Sequence, residues 1–181
     1  MATIKQIRLS GLGGDGVVFA GIILGKAAIS EGKWVSGANA YGSQARGGLT
    51  RADIVISDQH ILFPHIMEID ILVAFTQSAY LSNQALVKSG SGIALFDQSR
   101  FCPEADTPFR QIGVDITNQV LKELDNKQVV NIAFLGAMNA QLGLVDTNSL
   151  ENIMRAELPS RLLEMNLKAL HLGGRLGETI R

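Results

Sequence analysis

Short apolar runs alternate with apolar segments of helical length over the first two thirds of the chain. The first run, residues 4–10, leads into the glycine-rich segment 11–16 and then into a helix predicted over 17–30. Further strands are predicted at 52–57, 70–75 and 92–96; the last two are nearly continuous in apolar residues, as is typical of strands buried on both faces of a sheet. Strands that alternate with helices predict an α/β fold with a mostly parallel sheet.

Two weaker patterns lie between these runs. Residues 33–36 are predicted to form a short second strand, and 37–50 a long loop, because four glycines interrupt any apolar periodicity there. After the strand at 52–57, a polar turn leads into the short run 60–63, which ends at Pro64. This arrangement predicts a small β-hairpin.

The last third of the chain has helical periodicity. Helices are predicted over 116–124 and 129–142, after a helix at about 76–88 and a strand at 109–114. A further helix is predicted to open at Asn148 with a capping box, and the last to run from Pro159 to a stop at Gly173-Gly174. We therefore expect a Rossmann-like three-layer sandwich with a small hairpin and a helical C-terminal third, formed by residues 1–181 as a single domain.

Composition narrows the classes of function. The formal net charge is -1, with 16 basic and 17 acidic residues and no basic cluster, which argues against nucleic acid as a partner. Charged residues make up only 18% of the chain and apolar ones 46%, so we expect part of the surface to be an interface, and a homodimer is one candidate for the isolated chain. No signal peptide or membrane span is predicted, and we expect a cytoplasmic protein.

The glycine-rich segment carries the first candidate chemistry. Gly11, Gly13 and Gly16 match the G-x-G-x-x-G spacing of dinucleotide-binding turns, where backbone N–H groups at a helix N-terminus face an anion. A nicotinamide-dependent dehydrogenase also needs an acidic residue after the second strand, yet residues 36–39 read Ser-Gly-Ala-Asn and Glu31 precedes that strand. A nicotinamide site is therefore a minor alternative.

Other reactive residues form no convincing pattern. His60 and His65 lie five residues apart across a proline, a spacing that does not suit a metal site. The single cysteine, Cys102, cannot form an internal disulfide or supply the four thiolates of an iron–sulfur cluster. Arg46 stands among glycines, where its guanidinium could bind a phosphate or carboxylate, hold an interface, or simply lie on the surface.

Six segments together carry a family resemblance. They are Gly-Leu-Gly-Gly-Asp-Gly-Val at 11–17, Tyr-Gly-Ser-Gln-Ala-Arg-Gly-Gly at 41–48, Asp-Ile-Val-Ile-Ser at 53–57, Asp-Ile-Leu-Val-Ala-Phe at 70–75, Asn-Ile-Ala-Phe-Leu-Gly-Ala at 131–137 and Asn-Leu-Lys-Ala-Leu at 166–170. In order and spacing they resemble the gamma subunit of 2-oxoacid:ferredoxin oxidoreductases. Two departures stand out: Asp15 replaces the family's usual glutamine, and Ser43-Gln44 replaces its usual Pro-Glu.

The resemblance implies a subunit without redox chemistry of its own. Such a complex converts a 2-oxoacid, with 2-oxoglutarate favoured here, and coenzyme A to acyl-CoA and carbon dioxide, and it reduces ferredoxin. Thiamine diphosphate, magnesium and iron–sulfur clusters are expected on partner alpha and beta subunits, with a delta subunit as a further candidate. On this chain, the candidate cofactor-binding residues are Gly13, Gly14, Gly16, Tyr41, Arg46, Gly47 and Gly48.

The two glycine-containing loops differ as candidates for binding coenzyme A or a partner subunit. Asp15 adds negative charge to the first loop, which favours a structural turn there and makes 41–48 the better candidate for contact with coenzyme A or a partner. The alternative from another class is a freestanding regulatory module whose glycine turn binds a phosphate or nucleotide.

Overall fold

A computed structural model describes residues 4–42 and 48–180. Its strands are β1 (Ile4–Leu12), β2 (Trp34–Tyr41), β3 (Leu49–Ser57), β4 (Ile71–Ala74), β5 (Ile93–Asp97) and β6 (Arg110–Val114). Its α-helices are α1 (Val17–Ser30), α2 (Gln77–Asn83), α3 (Ile116–Leu124), α4 (Val130–Leu142), α5 (Thr147–Glu157) and α6 (Ser160–Glu178). The helices predicted over 17–30 and 116–124 are confirmed to the residue.

The strands form one sheet in the order β2-β3-β1-β4-β5-β6. The pairs β1/β4, β4/β5 and β5/β6 are parallel, whereas β3 is antiparallel to both of its neighbours, β1 and β2. Among the strands described, β3 alone therefore runs against the other five. The predicted α/β fold with a mostly parallel sheet is confirmed.

The two faces of the sheet are covered unequally. On one face, α1 and α3–α6 form a large apolar core with alternate side chains of the strands, including Ile7 and Leu9. On the other face, a smaller aromatic-rich cluster forms beneath α2 and the segment after β5, around Tyr80, Phe96 and Phe101. The sandwich thus has three layers, of which the second helical layer is thin.

Glycines bring α4 and α6 into backbone contact. A Cβ at Gly173 would overlap the carbonyl oxygen of Ala133, and one at Gly177 would lie 2.6 Å from the carbonyl oxygen of Ala137. The predicted stop at Gly173-Gly174 is therefore wrong: α6 continues to Glu178, and its glycines serve close helix packing rather than termination.

The predicted hairpin is also misplaced. Strand β2 extends to Tyr41 and β3 begins at Leu49, so the two form a hairpin across most of the segment predicted to be a loop. Residues 60–63 form no strand. Instead, the His60 ring packs edge-on against Trp34, with centroids 4.8 Å apart, and the Ser36 hydroxyl donates to the Pro64 carbonyl at 3.0 Å.

Two helix boundaries differ from expectation. Asp146, not Asn148, caps α5 and accepts from the Asn148 amide at 2.8 Å. Helix α2 ends at Asn83, whose side-chain amide donates to the Ala79 carbonyl, and the chain then continues in a 3₁₀ turn over Gln84–Leu86.

Candidate functional site

The glycine turn between β1 and α1 has two residues in the left-handed region. Gly14 has φ 104° and Gly16 has φ 72°, conformations that favour glycine. Within the described chain, no side chain caps the N-terminus of α1, and no acidic residue lies in its first turn. The first N–H groups of a 14-residue helix are therefore left to solvent or to a ligand.

Asp15 belongs to the turn itself. Its carboxylate accepts a hydrogen bond from the Leu12 amide at 2.7 Å, while its own amide donates to the Leu12 carbonyl at 3.0 Å. The carboxylate thus satisfies a backbone donor within the loop instead of standing free in an anion site.

The end of the β2–β3 hairpin lies directly against this turn. The Gly13 amide donates to the Gly48 carbonyl at 2.9 Å, which extends the β1–β3 ladder by one pair, and the Gly42 amide donates to the Leu49 carbonyl at 2.7 Å. Two loops whose bonded residues, Gly13 and Gly48, are 35 positions apart are in this way joined through the backbone.

A cleft of about 520 Å³ opens between the two loops and the first turn of α1. It is lined by Leu12, Gly13, Gly14, Gly16, Val17, Val18, Phe19, Tyr41, Gly42 and Thr50. The structure brings four of the predicted site residues, Gly13, Gly14, Gly16 and Tyr41, to this cleft, and Gly48 bonds to its rim. Arg46 and Gly47 lie outside the described residues.

Sequence reasoning missed six residues of the cleft: Leu12, Val17, Val18, Phe19, Gly42 and Thr50. Val18 and Phe19 belong to the first turn of α1, and Thr50 is the second residue of β3. No local signal marks them, because apolar residues at a helix start and a threonine in a strand are both ordinary. The adjacency of the glycine turn could have indicated Val18 and Phe19.

The cleft offers backbone groups and apolar surface rather than charge. None of the side chains that line its described part is ionisable except the Tyr41 phenol, which is 69% exposed at the rim. Such a lining suits an uncharged ligand segment with amide groups, and the uncapped N-terminus of α1 suits a nearby anion.

A buried polar network supports the hairpin from the opposite face of the sheet. Arg8, 4% exposed, donates from Nε and Nη2 to both carboxylate oxygens of Asp53 at 2.6 and 2.7 Å, and from Nη1 to the Asn83 carbonyl oxygen at 3.0 Å. Asn83 in turn donates to the Ser10 hydroxyl at 3.2 Å. This bidentate ion pair ties β1 to β3 and α2, and it fixes the strands that carry the cleft.

A smaller cleft of about 190 Å³ lies beside this network. Ser10 and Asn83 line its floor, and Tyr41, Thr50 and Arg51 its rim. Tyr41 and Thr50 therefore border both clefts. Arg51 brings a cation to this side of the hairpin, 3.8 Å from the Asp53 carboxylate.

The other side of the glycine turn has two cationic residues. Arg100 and Lys127 line a cavity of about 390 Å³ together with Gly14 and Asp15. Arg100 donates to the Phe75 carbonyl at 3.1 Å, so its guanidinium is partly engaged at the carboxyl end of β4.

Asp97, at the carboxyl end of β5, is fully buried and fully engaged. Its carboxylate accepts from the Ser99 amide at 3.1 Å, the Ser99 hydroxyl at 2.6 Å, the Thr117 amide at 3.1 Å and the Thr117 hydroxyl. These bonds connect β5 to the start of α3, so the residue stabilises the fold and has no free acceptor for a ligand.

Two buried polar side chains have an atom without a hydrogen-bond partner among the described residues. Asn131, 5% exposed at the start of α4, donates to the Gly16 carbonyl at 3.1 Å, but its carbonyl oxygen has no partner within the described residues. The Tyr80 hydroxyl is likewise unpartnered there. Burial, reinforced by the negative charge of Glu104, raises the pKa of Tyr80, so this phenol stays protonated at neutral pH.

A classical dinucleotide site does not form around the glycine turn. In such folds the strand after the first helix lies beside β1 and ends in the acidic residue that binds ribose. Here β3 separates β2 from β1 and runs antiparallel to it. The carboxyl end of β2, at Tyr41, therefore lies one strand farther away.

Two further features are absent from residues 4–42 and 48–180. No group of three or more histidine, cysteine, aspartate and glutamate side chains is arranged to hold a metal ion. No described helix is both long and apolar enough to cross a bilayer.

Comparisons with known proteins agree over nearly the whole chain. Residues 6–176 match the profile of the family described as POR, pyruvate ferredoxin/flavodoxin oxidoreductase. The 2-oxoglutarate synthase subunit KorC of Methanocaldococcus jannaschii is 36% identical over 174 residues, which cover 93% of this chain and 91% of that protein.

Solved structures show the same fold. The gamma subunit of keto/oxoacid ferredoxin oxidoreductase from Geobacter sulfurreducens superposes with a TM-score of 0.84 and 31% identity, over 97% of this chain and 99% of that one. The 2-oxoglutarate:ferredoxin oxidoreductase from Magnetococcus marinus, solved with 2-oxoglutarate, coenzyme A and succinyl-CoA bound, gives a TM-score of 0.90 at 21% identity over 98% of this chain and 32% of that longer chain. With the profile match over residues 6–176, these likenesses identify the chain as a member of the pyruvate ferredoxin/flavodoxin oxidoreductase family.

Proposed function

We propose that this chain is the gamma-type subunit of a 2-oxoacid:ferredoxin oxidoreductase, with residues 1–181 acting as one unit. The complex would oxidatively decarboxylate its 2-oxoacid in the presence of coenzyme A, release carbon dioxide and acyl-CoA, and transfer electrons to ferredoxin. The observation that carries this proposal is the 36% identity to a 2-oxoglutarate synthase subunit over almost the full length of both chains. The same relative makes 2-oxoglutarate the favoured substrate.

The chain is proposed to contribute no redox chemistry itself. With one cysteine, it lacks the thiolates for an iron–sulfur cluster of the usual kind. Thiamine diphosphate, magnesium and the clusters are assigned to partner alpha and beta subunits, and a delta subunit is a further candidate partner. The assembled enzyme would meet ferredoxin in the cytoplasm.

The role that we propose for this chain is to hold part of coenzyme A. The cleft beside Tyr41 has no charged lining in its described part, which suits the amide-bearing pantetheine arm of coenzyme A. Val17 and Val18, in the first turn of α1, bring unsatisfied N–H groups to the same cleft, and these could receive an amide carbonyl or an anionic oxygen.

Arg46 is the proposed partner of the phosphate groups. It lies in the segment that joins Gly42 to Gly48, both of which are adjacent to the cleft. An arginine can form two parallel hydrogen bonds to one phosphate, which a lysine cannot.

A freestanding phosphate-binding module is the alternative, and one observation favours it. The N-terminus of α1 is uncapped and opens into a cleft, a feature that can bind a phosphate ligand without any partner. Such a module would neither assemble with oxidoreductase subunits nor influence 2-oxoacid oxidation.

Co-expression with candidate alpha and beta subunits distinguishes the two. The proposal expects one particle on size-exclusion chromatography that contains all the chains, and coenzyme A-dependent reduction of ferredoxin with 2-oxoglutarate that exceeds the rate with pyruvate. Omission of this chain should abolish that activity. A chain that never co-elutes with those subunits, and whose omission changes nothing, would refute the proposal.

The same complex tests Arg46. Arg46→Ala should raise the KM for coenzyme A by about tenfold or more, the effect of one lost charge-assisted bond, without loss of assembly. Arg161→Ala, which removes an exposed arginine of α6, is the matched control and should leave this KM unchanged. An unchanged KM in an intact Arg46→Ala complex would remove Arg46 from the site.

A further inference from the structure

One edge of the sheet is open and the other is protected. Strand β6, at one edge, is five residues long and begins with Arg110. The side-chain amide of Gln111 donates to the Glu104 carbonyl at 2.7 Å and to the Thr107 hydroxyl at 2.9 Å, so this edge is short, charged and partly covered. Such features normally prevent edge strands from pairing with other chains.

Strand β2, at the opposite edge, is longer and uncharged, and the segment 60–64 contacts it through the side chains of Trp34 and Ser36 rather than along its backbone edge. Its eight residues, Trp-Val-Ser-Gly-Ala-Asn-Ala-Tyr, include no charge and no proline. Its pairing with β3 continues without a bulge from Trp34–Ser57 to Tyr41–Thr50. It therefore presents a long, regular and neutral edge.

The hydrogen-bond pattern identifies which backbone groups are open. In an antiparallel pair, alternate residues turn both N–H and C=O toward the partner strand. Because the Gly42 amide donates to Leu49 of β3, the even-numbered residues of β2 face β3. The backbone groups of Val35, Gly37, Asn39 and Tyr41 point outward, and among the described residues no loop or side chain bonds to them.

The outward positions are symmetric about Ala38. In an antiparallel arrangement with Ala38 opposite Ala38 of a second copy, Gly37 pairs with Asn39 of the other strand, and Val35 pairs with Tyr41. All four outward residues of each strand then obtain a partner. The pair of Tyr41 with Val35 is aromatic against β-branched, a favourable cross-strand combination, and no like charges meet.

The surface beside this edge suits the same partner. A groove of about 280 Å³ runs between α1 and β2, lined by Gly21, Gly25 and Val35 and flanked by Ile22 and Ile29. Lys26 also lines it, and its charge is paired with Glu157 at 2.6 Å. These two isoleucines are 42% and 58% exposed, although they are apolar. Two-fold pairing through β2 would bring the α1 helices of both copies together on one face, which would cover these side chains.

We propose that two copies of this chain pair through β2, in the register with Ala38 opposite Ala38, to form one continuous twelve-stranded sheet. The interface is isologous and is a property of the chain alone, so it does not depend on the proposed function. In an assembled oxidoreductase, it would place two gamma-type chains about a two-fold axis.

Engineered cysteines test the register. Ala38 would lie at a non-hydrogen-bonded pair, where opposite Cα atoms are about 4.5 Å apart and a disulfide can form. In a Cys102→Ser background of the full chain, Ala38→Cys should oxidise to a covalent dimer. Ala40→Cys, on the same strand and face but opposite Ser36 of the other copy, is the matched control and should stay unlinked. The double variant Ser36→Cys/Ala40→Cys should cross-link even if Ala38→Cys does not fold.

A proline variant tests the same edge without new thiols. The amide of Asn39 points outward, so Asn39→Pro removes a donor from the proposed interface but not from the β3 pairing. Sedimentation should show a dimer for the unmodified chain, and a dimer dissociation constant about tenfold or more higher for this variant, because two symmetric hydrogen bonds are lost. Three results would each overturn the proposal. They are equal cross-linking of Ala38→Cys and Ala40→Cys, a monomeric unmodified chain, and a dimer dissociation constant that Asn39→Pro does not change.

Discussion

In the glycine turn between β1 and α1, a Cβ at Gly14 would meet no atom within 4 Å, whereas a Cβ at Gly173 of α6 would overlap the carbonyl of Ala133 in α4. The first glycine borders open space and is required by its backbone angle, φ 104°. Gly173 has ordinary helical angles, and glycine is needed there because the Ala133 carbonyl leaves no space for a side chain. Both regions are rich in glycine, but the missing side chain leaves open space at Gly14, whereas at Gly173 it admits a neighbouring backbone.

Glycine therefore has two roles in this chain: it borders a candidate site at the turn, and it allows close helix packing between α4 and α6. At the turn, the absent side chains leave the N-terminus of α1 and the Tyr41 cleft accessible. Between α4 and α6, the same absence lets two helices approach until backbone meets backbone. Glycine content therefore indicates a candidate site only where the structure around it is open.

The largest effect is expected from the packed glycines. Gly173→Ala should lower the free energy of unfolding by about 3 kcal/mol, because α6 has to move away from the backbone of α4. Gly174→Ala is the matched control: nothing lies within 4 Å of its Cβ position, and the change should be neutral or stabilising by up to about 1 kcal/mol. Urea denaturation of both variants measures the difference, and similar unfolding free energies would refute the packing role.

A smaller effect is expected at the turn. Gly14→Ala should lower the free energy of unfolding by about 1 to 2 kcal/mol, because alanine is strained at positive φ even though its methyl group has space. Urea denaturation again provides the measurement. A loss as large as that of Gly173→Ala would mean that the turn is as tightly packed as the helix pair.

Sequence could predict the elements whose signals are local. The strand, glycine turn and helix over residues 4–30 follow from an apolar run, from glycines that permit positive φ, and from an apolar segment of helical length. Helix α2 begins after Thr76, near the start expected from sequence, and the Thr76 hydroxyl caps it by accepting from the Ala79 amide. In these cases the residues that decide the structure are close together in the sequence.

The features that the sequence did not predict depend on contacts between residues that are distant in the sequence. Strand β2 is an edge strand with no apolar alternation over Ser36–Ala40, and pairing with β3 defines it, so its second half was predicted to be a loop. The ion pair of Arg8 with Asp53 spans 45 residues and has no sequence signature. The glycines of α6 were predicted to stop the helix, because their contact with α4 exists only in the folded chain.

For the candidate site, sequence identified both loops but not the cleft between them. Gly13 and Tyr41 were predicted as site residues, and the bond from Gly13 to Gly48 shows why their loops are adjacent. Val18 and Thr50 complete the cleft, and their placement depends on how α1 and β3 meet.

The Tyr41 cleft is proposed to hold part of coenzyme A in an assembled 2-oxoacid:ferredoxin oxidoreductase. The KM for coenzyme A of a complex that contains Val18→Trp tests this role, because the indole would fill the cleft beside the first turn of α1. Leu162→Trp, at an exposed position of α6, is the control. We expect Val18→Trp to raise this KM by about tenfold or more, with the KM for 2-oxoglutarate and the assembly unchanged. An assembled Val18→Trp complex with the unmodified KM for coenzyme A would contradict the account.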